Sequence, residues 1–244
     1  MSVEPVYMMA FTPHPHDAEA GIGGTTARWT KEGKDVVFVV CTNGDKGTSN
    51  PDMKAEELAK IREKEQLAAA ELLGVREVIF LRHPDLGLED TPEFRKEIVK
   101  LILTYRPEIV STRCPYNSRY VSNRDHRICG RVVMDAVWPY AMATNFYPDL
   151  LEEGLKIHKV KEMMLWNPEK PNYRLDITDT YDKKVAALRC HESQIQDWAD
   201  DLGSWEEAEK GFFEMTENQF LAAAEGTEWK YAEAFARFRI PPRL

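Results

Sequence analysis

Val6-Tyr7-Met8-Met9-Ala10-Phe11, followed by Thr12-Pro13-His14-Pro15-His16-Asp17-Ala18-Glu19, decides how this chain is read. The first six residues form a nearly continuous apolar run, the pattern of a strand buried on both faces. Three groups able to bind a metal or move a proton, His14, His16 and Asp17, then fall within four positions. A helix is expected from about Ala18 to Lys31. A strand-to-helix turn of a parallel sheet is where such chemistry is usually placed, beyond the strand's carboxyl end. Gly21, Gly23 and Gly24 fall inside that helix and after the acidic turn, so they do not make a pyrophosphate-binding loop. Small residues that let the helix lie close to the sheet are the expected explanation.

The same alternation continues along the chain. Asp35 to Thr42, Glu77 to Leu81 and Glu108 to Thr112 read as further buried strands. Residues 54–74 read as a helix capped by Gly74, with Leu58, Ile61, Ala68 and Leu72 as its apolar stripe. Glu65 falls within that stripe one turn after Arg62, either paired with it or exposed at the stripe's edge. Thr91 with Pro92 opens another helix, with Phe94, Ile98, Leu101 and Tyr105 facing inward. Asn123-Arg124-Asp125-His126 opens the next. Val160 to Trp166 and Arg174 to Ile177 read as two later strands. A helix from about Tyr181 is expected to contain Cys190 to Gln194, and Trp205, Ala208, Phe212 and Met215 mark a later one. Strands alternating with helices of this length imply an α/β fold with a mostly parallel sheet. No linker, repeat or low-complexity tract divides residues 1–244, so a single domain is expected.

Composition narrows the function. Of 244 residues, 43% are hydrophobic, as in a folded globular protein, and 41 acidic against 32 basic residues give a net charge of −9. That balance argues against a general nucleic-acid surface and against adhesion to anionic membranes. No apolar stretch approaches the length that spans a bilayer, and the N-terminus lacks the pattern of a signal peptide. Cys41, Cys114, Cys129 and Cys190 show no paired spacing and read as reduced thiols, so a cytoplasmic location is expected.

Catalytic zinc takes three protein ligands of nitrogen or oxygen type and keeps one position open. His14 and Asp17 offer a close pair, and His126, at the start of a later helix, offers a distant third. The spacing alone leaves this beside the reading of structural histidines.

The order His14-Pro-x-Asp17-x-Glu19, Arg62-x-x-Glu65, Asp125-His126 and His191-x-Ser193-Gln194 resembles the PIG-L/LmbE family of zinc-dependent de-N-acetylases of N-acetylglucosaminyl conjugates. The resemblance runs from the first strand to about Gln194. It implies a Rossmann-like sheet with helices on both faces and Zn2+ held by His14, Asp17 and His126. It also implies Arg62, Asn123 and Asp125 near the substrate and His191 facing the reacting carbonyl. The small-molecule substrate it implies is an amino-sugar conjugate, and relatives suggest a homo-oligomer, a trimer or hexamer. Two positions depart from the pattern. The family's usual general base is an aspartate where this chain has His16, and many members carry a histidine where it has Asn123. A histidine with a reference pKa of about 6.5 suits a base near neutral pH. The reaction expected is therefore amide hydrolysis with His16 as base and His191 as oxyanion stabiliser or proton donor. The alternatives are a zinc-dependent hydratase or another C–N or C–C bond hydrolase on the same site, and a non-catalytic protein that keeps the fold.

Overall fold

The computed structural model describes residues 3–118, 120–202 and 204–241. In chain order it forms β1 (Met8–Thr12), α1 (Asp17–Lys31), β2 (Val36–Thr42), α2 (Ala55–Leu73), β3 (Glu77–His83), α3 (Pro92–Tyr105), β4 (Ile109–Arg113) and α4 (Arg124–Val137). There follow α5 (Pro148–Glu152), β5 (Glu162–Trp166), β6 (Tyr173–Asp176), α6 (Tyr181–Arg189), α7 (Glu192–Leu202), α8 (Trp205–Ala224) and β7 (Ala232–Arg239). One seven-stranded sheet has the order β3-β2-β1-β4-β5-β7-β6. The first five strands are parallel, and β7 inserts antiparallel between β5 and β6.

Central strands β1 and β2 are buried along their whole length, which explains their unbroken apolar sequences. Met9, Phe11, Val37 and Val39 face α3 and α4, and pack with Ile98 and Val132. Met8, Ala10 and Phe38 face the other way, towards Ile22 of α1, Leu73 of α2 and Ala187 of α6. Helices thus cover both faces. Local signals end and begin the helices as expected: Gly74 closes α2 at φ 75°, and the Thr91 side chain accepts from the Phe94 N–H at 3.1 Å. Gly21 lies so close to the Trp166 indole, and Gly24 to Ile177, that a Cβ at either would overlap them. The glycines of α1 do serve close approach.

Four expectations need correction. On α2 the buried stripe is Leu58, Arg62, Gln66, Ala69 and Leu73, while Leu72 is 45% exposed. The helix turns two polar side chains inward because a polar site lies there. The helix from Tyr181 ends at Arg189, and Cys190 and His191 form a break before α7. On α8, Met215 and Trp205 are exposed, and Ala208, Phe212, Phe220 and Ala224 carry the packing. Strand β7 is absent from the sequence reading altogether.

Candidate active site

Each parallel strand of the first four ends at one edge of the sheet, and the loops leaving them meet there. The turn after β1 carries His14, His16 and Asp17. The loop after β2 brings Lys46 and Gly47, the loop after β3 brings Asp85 and Leu86, and the loop after β4 brings Asn123, with His126 following in the first turn of α4. Together with Arg62 and Gln194, all of these residues except Asp17 line a cavity of about 290 Å³. A larger cleft of about 640 Å³ lies elsewhere, by α3. Its histidine, His83, is already paired with Glu97 at 2.7 Å, so the chemistry belongs to the smaller cavity.

At the floor of that cavity His14, Asp17 and His126 converge. His14 Nδ1 is 3.0 Å from Asp17 Oδ2 and 3.2 Å from His126 Nε2, and His126 Nε2 is 3.1 Å from Asp17 Oδ2. Four ligands at about 2.0–2.1 Å around zinc stand roughly 3.3 Å apart, so this triangle has the size of one tetrahedral face. No single proton arrangement satisfies all three contacts, whereas one cation between them would. His14 Nε2, at the back, has no hydrogen-bond partner and faces Asp85 Oδ1 at 3.1 Å and Asp125 Oδ2 at 3.5 Å. A metal-ligating histidine commonly turns its second ring nitrogen to a carboxylate in this way. His14, Asp85 and Asp125 also form a second possible cation group.

Electrostatics follow from this crowding. Burial pulls the His14 imidazole down, but Asp125, Asp17 and Asp85 outweigh it and hold its pKa well above the ordinary value. Burial would raise Asp17, but His126 and His14 hold it well below the usual carboxylate range. His16 has no comparable compensation. Burial pushes it down to about 3, helped by His191, Arg62 and His14 against a partial pull from Asp17. It is neutral at pH 7 and free to accept a proton, but in the metal-free site it is a weaker base than the ordinary imidazole of about 6.5 that the sequence led us to expect.

His16 occupies the cap position of α1 in the left-handed region, at φ 86°. Its N–H donates to Gln66 Oε1 at 3.1 Å, Nε2 is 3.9 Å from Asp17 Oδ1, and Nδ1 is buried without a partner. A left-handed conformation is costly for a residue with a Cβ and is a mark of functional sites.

Other expected site residues divide by position. Arg62 is 3% exposed and reaches the cavity wall, donating to the Gly47 carbonyl at 2.9 Å and Gln194 Oε1 at 2.7 Å. Asn123 caps α4 by accepting from the Asp125 N–H at 2.7 Å, and lines the cavity. Asp125 lies behind His14, fully buried, where it accepts from the N–H groups of Leu86 at 2.7 Å and Leu88 at 3.3 Å. His191 is 3% exposed, with its ring centre 6.0 Å from that of His16. The Arg62-x-x-Glu65 and His191-x-Ser193-Gln194 motifs prove to be one contact: Glu65 accepts from the Ser193 N–H at 2.7 Å and hydroxyl at 2.6 Å, and Arg62 holds Gln194. Asp85 and Leu86 are the cavity residues that the sequence reading did not name for the site, and Gln194 entered it only as part of a motif. Asp85 follows the third strand's end, so the rule that selected His14 would have found it.

The comparisons with known proteins come to the same place. The model of the PIG-L family, described as GlcNAc-PI de-N-acetylase, matches residues 9–137, from β1 to the end of α4. This chain belongs to that family. A diacetylchitobiose deacetylase of Thermococcus kodakarensis is 38% identical over 188 residues, covering 77% of this chain and 70% of that protein. The solved N,N'-diacetylchitobiose deacetylase of Pyrococcus horikoshii, bound to an inhibitor, superposes with a TM-score of 0.86 at 31% identity, over 96% of this chain and 84% of that one. The 4-carboxy-2-hydroxymuconate hydratase of Pseudomonas putida superposes with a TM-score of 0.76 at 21% identity over 99% of each chain, which shows a shared fold. No helix among the described residues is long and apolar enough to cross a membrane.

Proposed function

We propose that this PIG-L family enzyme is a zinc-dependent hydrolase that removes an N-acetyl group from an amino-sugar conjugate. The observation that carries the proposal is the triangle of His14, Asp17 and His126 at the floor of the cavity, in a chain whose relatives are deacetylases. These three residues would hold the metal, with Asp85 and Asp125 steadying His14. When bound there, Zn2+ would lower the pKa of a water towards about 7 and polarise the acyl oxygen.

This chain's own groups supply the rest. His16, neutral and lining the same cavity, takes the proton from the attacking water. His191 either steadies the charge that develops on the acyl oxygen or returns a proton to the leaving amine. Arg62, fixed by Gly47 and Gln194, offers its charge to the sugar's polar groups. Asn123, whose amide cannot act as an acid near neutral pH, leaves protonation of the amine to the histidines.

The test is metal content together with acetate release from N-acetylated sugars, N,N'-diacetylchitobiose among them. About one zinc per chain with acetate released supports the reading. His16 in place of the usual aspartate keeps the hydratase reading as the alternative, and zinc bound with no acetate from any sugar would favour it.

A further inference from the structure

Beside the cavity stands a second carboxylate–histidine pair, each member of which keeps one polar atom unused. Glu19, on the first turn of α1, is fully buried. Its Oε1 accepts from Gln66 Nε2 at 2.5 Å, while Oε2 has no hydrogen-bond partner. His191 Nε2, also buried and also without a partner, lies 3.6 Å from that oxygen. A buried acceptor and a buried ring nitrogen facing one another this closely are costly unless they serve each other. The surroundings keep both in place. Lys184 Nζ donates to the carbonyls of Glu19 at 2.9 Å and Ala20 at 2.7 Å, so the backbone under Glu19 cannot drift. The break between α6 and α7 holds His191, pinned by the grip of Glu65 on Ser193.

We infer that Glu19 is a positioning residue that accepts a hydrogen bond from His191 Nε2–H, fixing the ring so that a second proton, carried on Nδ1, is the one given to the substrate. The inference rests on the deacetylase reading for its kinetic consequence, and not for the tautomer itself. Gln66 makes it testable. Because Gln66 donates to Oε1, a Glu19→Gln side chain keeps its oxygen there and turns its NH2 towards His191. Nε2 must then accept, and the proton moves to Nδ1.

The experiment is nitrogen NMR of the zinc-loaded protein with 15N-labelled histidine, His191 being assigned by its loss in His191→Gln. It is paired with kcat and KM for N,N'-diacetylchitobiose. The expected result is a protonated Nε2 in the parent and a protonated Nδ1 in Glu19→Gln. In that variant kcat should fall about tenfold or more while KM and zinc content hold. A parent His191 protonated on Nδ1 alone, with Nε2 bare, overturns the inference without recourse to any variant. So does a Glu19→Gln protein with an unchanged tautomer and kcat, or one that loses zinc and fold together with activity. A parent that releases no acetate would defeat the deacetylase reading and leave the tautomer measurement standing.

Discussion

Two buried charged clusters touch α1, and they are built in opposite ways. Along the body of the helix, Lys184 and Glu233 are both fully buried and paired at 2.7 Å. Lys184 spends its three donors on Glu233 and two carbonyls, and Glu233 accepts from the N–H groups of Gly24 at 2.9 Å and Thr25 at 2.8 Å. Nothing is left over. At the helix's first turn, His14, His16, Glu19 and His191 each keep a buried nitrogen or oxygen without a partner. Satisfied buried charge holds a structure together, whereas unsatisfied buried charge in a cavity marks a place made for something else. The first cluster braces the helix whose end carries the second.

That contrast predicts which variants lose function and which lose stability. The largest effect belongs to Asp17→Ala, which should reduce bound zinc from about one per chain to a trace and turnover by more than about a thousandfold. The fold should survive, and elemental analysis beside acetate release checks both. Lys184→Met should do the reverse. It strands Glu233 and costs about 3–5 kcal/mol of unfolding free energy, while Lys184→Met combined with Glu233→Gln recovers much of the loss. Chemical denaturation measures it, and a stable single variant would break the contrast. His16→Ala should retain zinc and lower turnover by about a hundredfold or more, with His16→Asp restoring it. Equal turnover in His16→Ala and the parent would remove His16 as the base.

The smallest effect is a pH dependence in the metal-free protein. The unfolded chain binds the His16 proton near 6.5, and the folded chain binds it only near 3. The stability this gives is present above 6.5 and lost as pH falls from there towards 3. His14, raised, has the opposite sign: its contribution is present below 6.5 and lost as pH climbs through its higher folded value. His16→Gln should flatten the acid limb by on the order of 2–4 kcal/mol and leave the alkaline limb alone. Unfolding curves at several pH values decide it.

Most of the parallel half of the fold was legible in the residues. Strands β1 and β2 are apolar throughout because both faces are covered, and caps at Gly74, Thr91 and Asn123 mark helix ends by local chemistry alone. The antiparallel flank was not. In β7 the sequence Ala232-Glu233-Ala234-Phe235 places a charge where a buried strand should have none, and the partners that explain it, Lys184 and the N–H groups of Gly24 and Thr25, lie far away in the chain. The break at Cys190–His191 has no glycine or proline to announce it, being held by Glu65 from another helix. Arg62 and Gln66 face inward for a similar reason, since the polar site they serve is assembled from distant loops. The His14–Asp17–His126 triangle was legible as residue types at strand ends. The Glu19–His191 contact was not, because it spans 172 positions and depends on where α1 and α6 meet.

Anomalous diffraction at the zinc edge, on crystals grown with Zn2+, tests the central claim most directly. The account predicts one peak within bonding distance of His14 Nδ1, Asp17 and His126 Nε2. A peak between His14 Nε2, Asp85 and Asp125 instead, or no peak in the cavity, would contradict it.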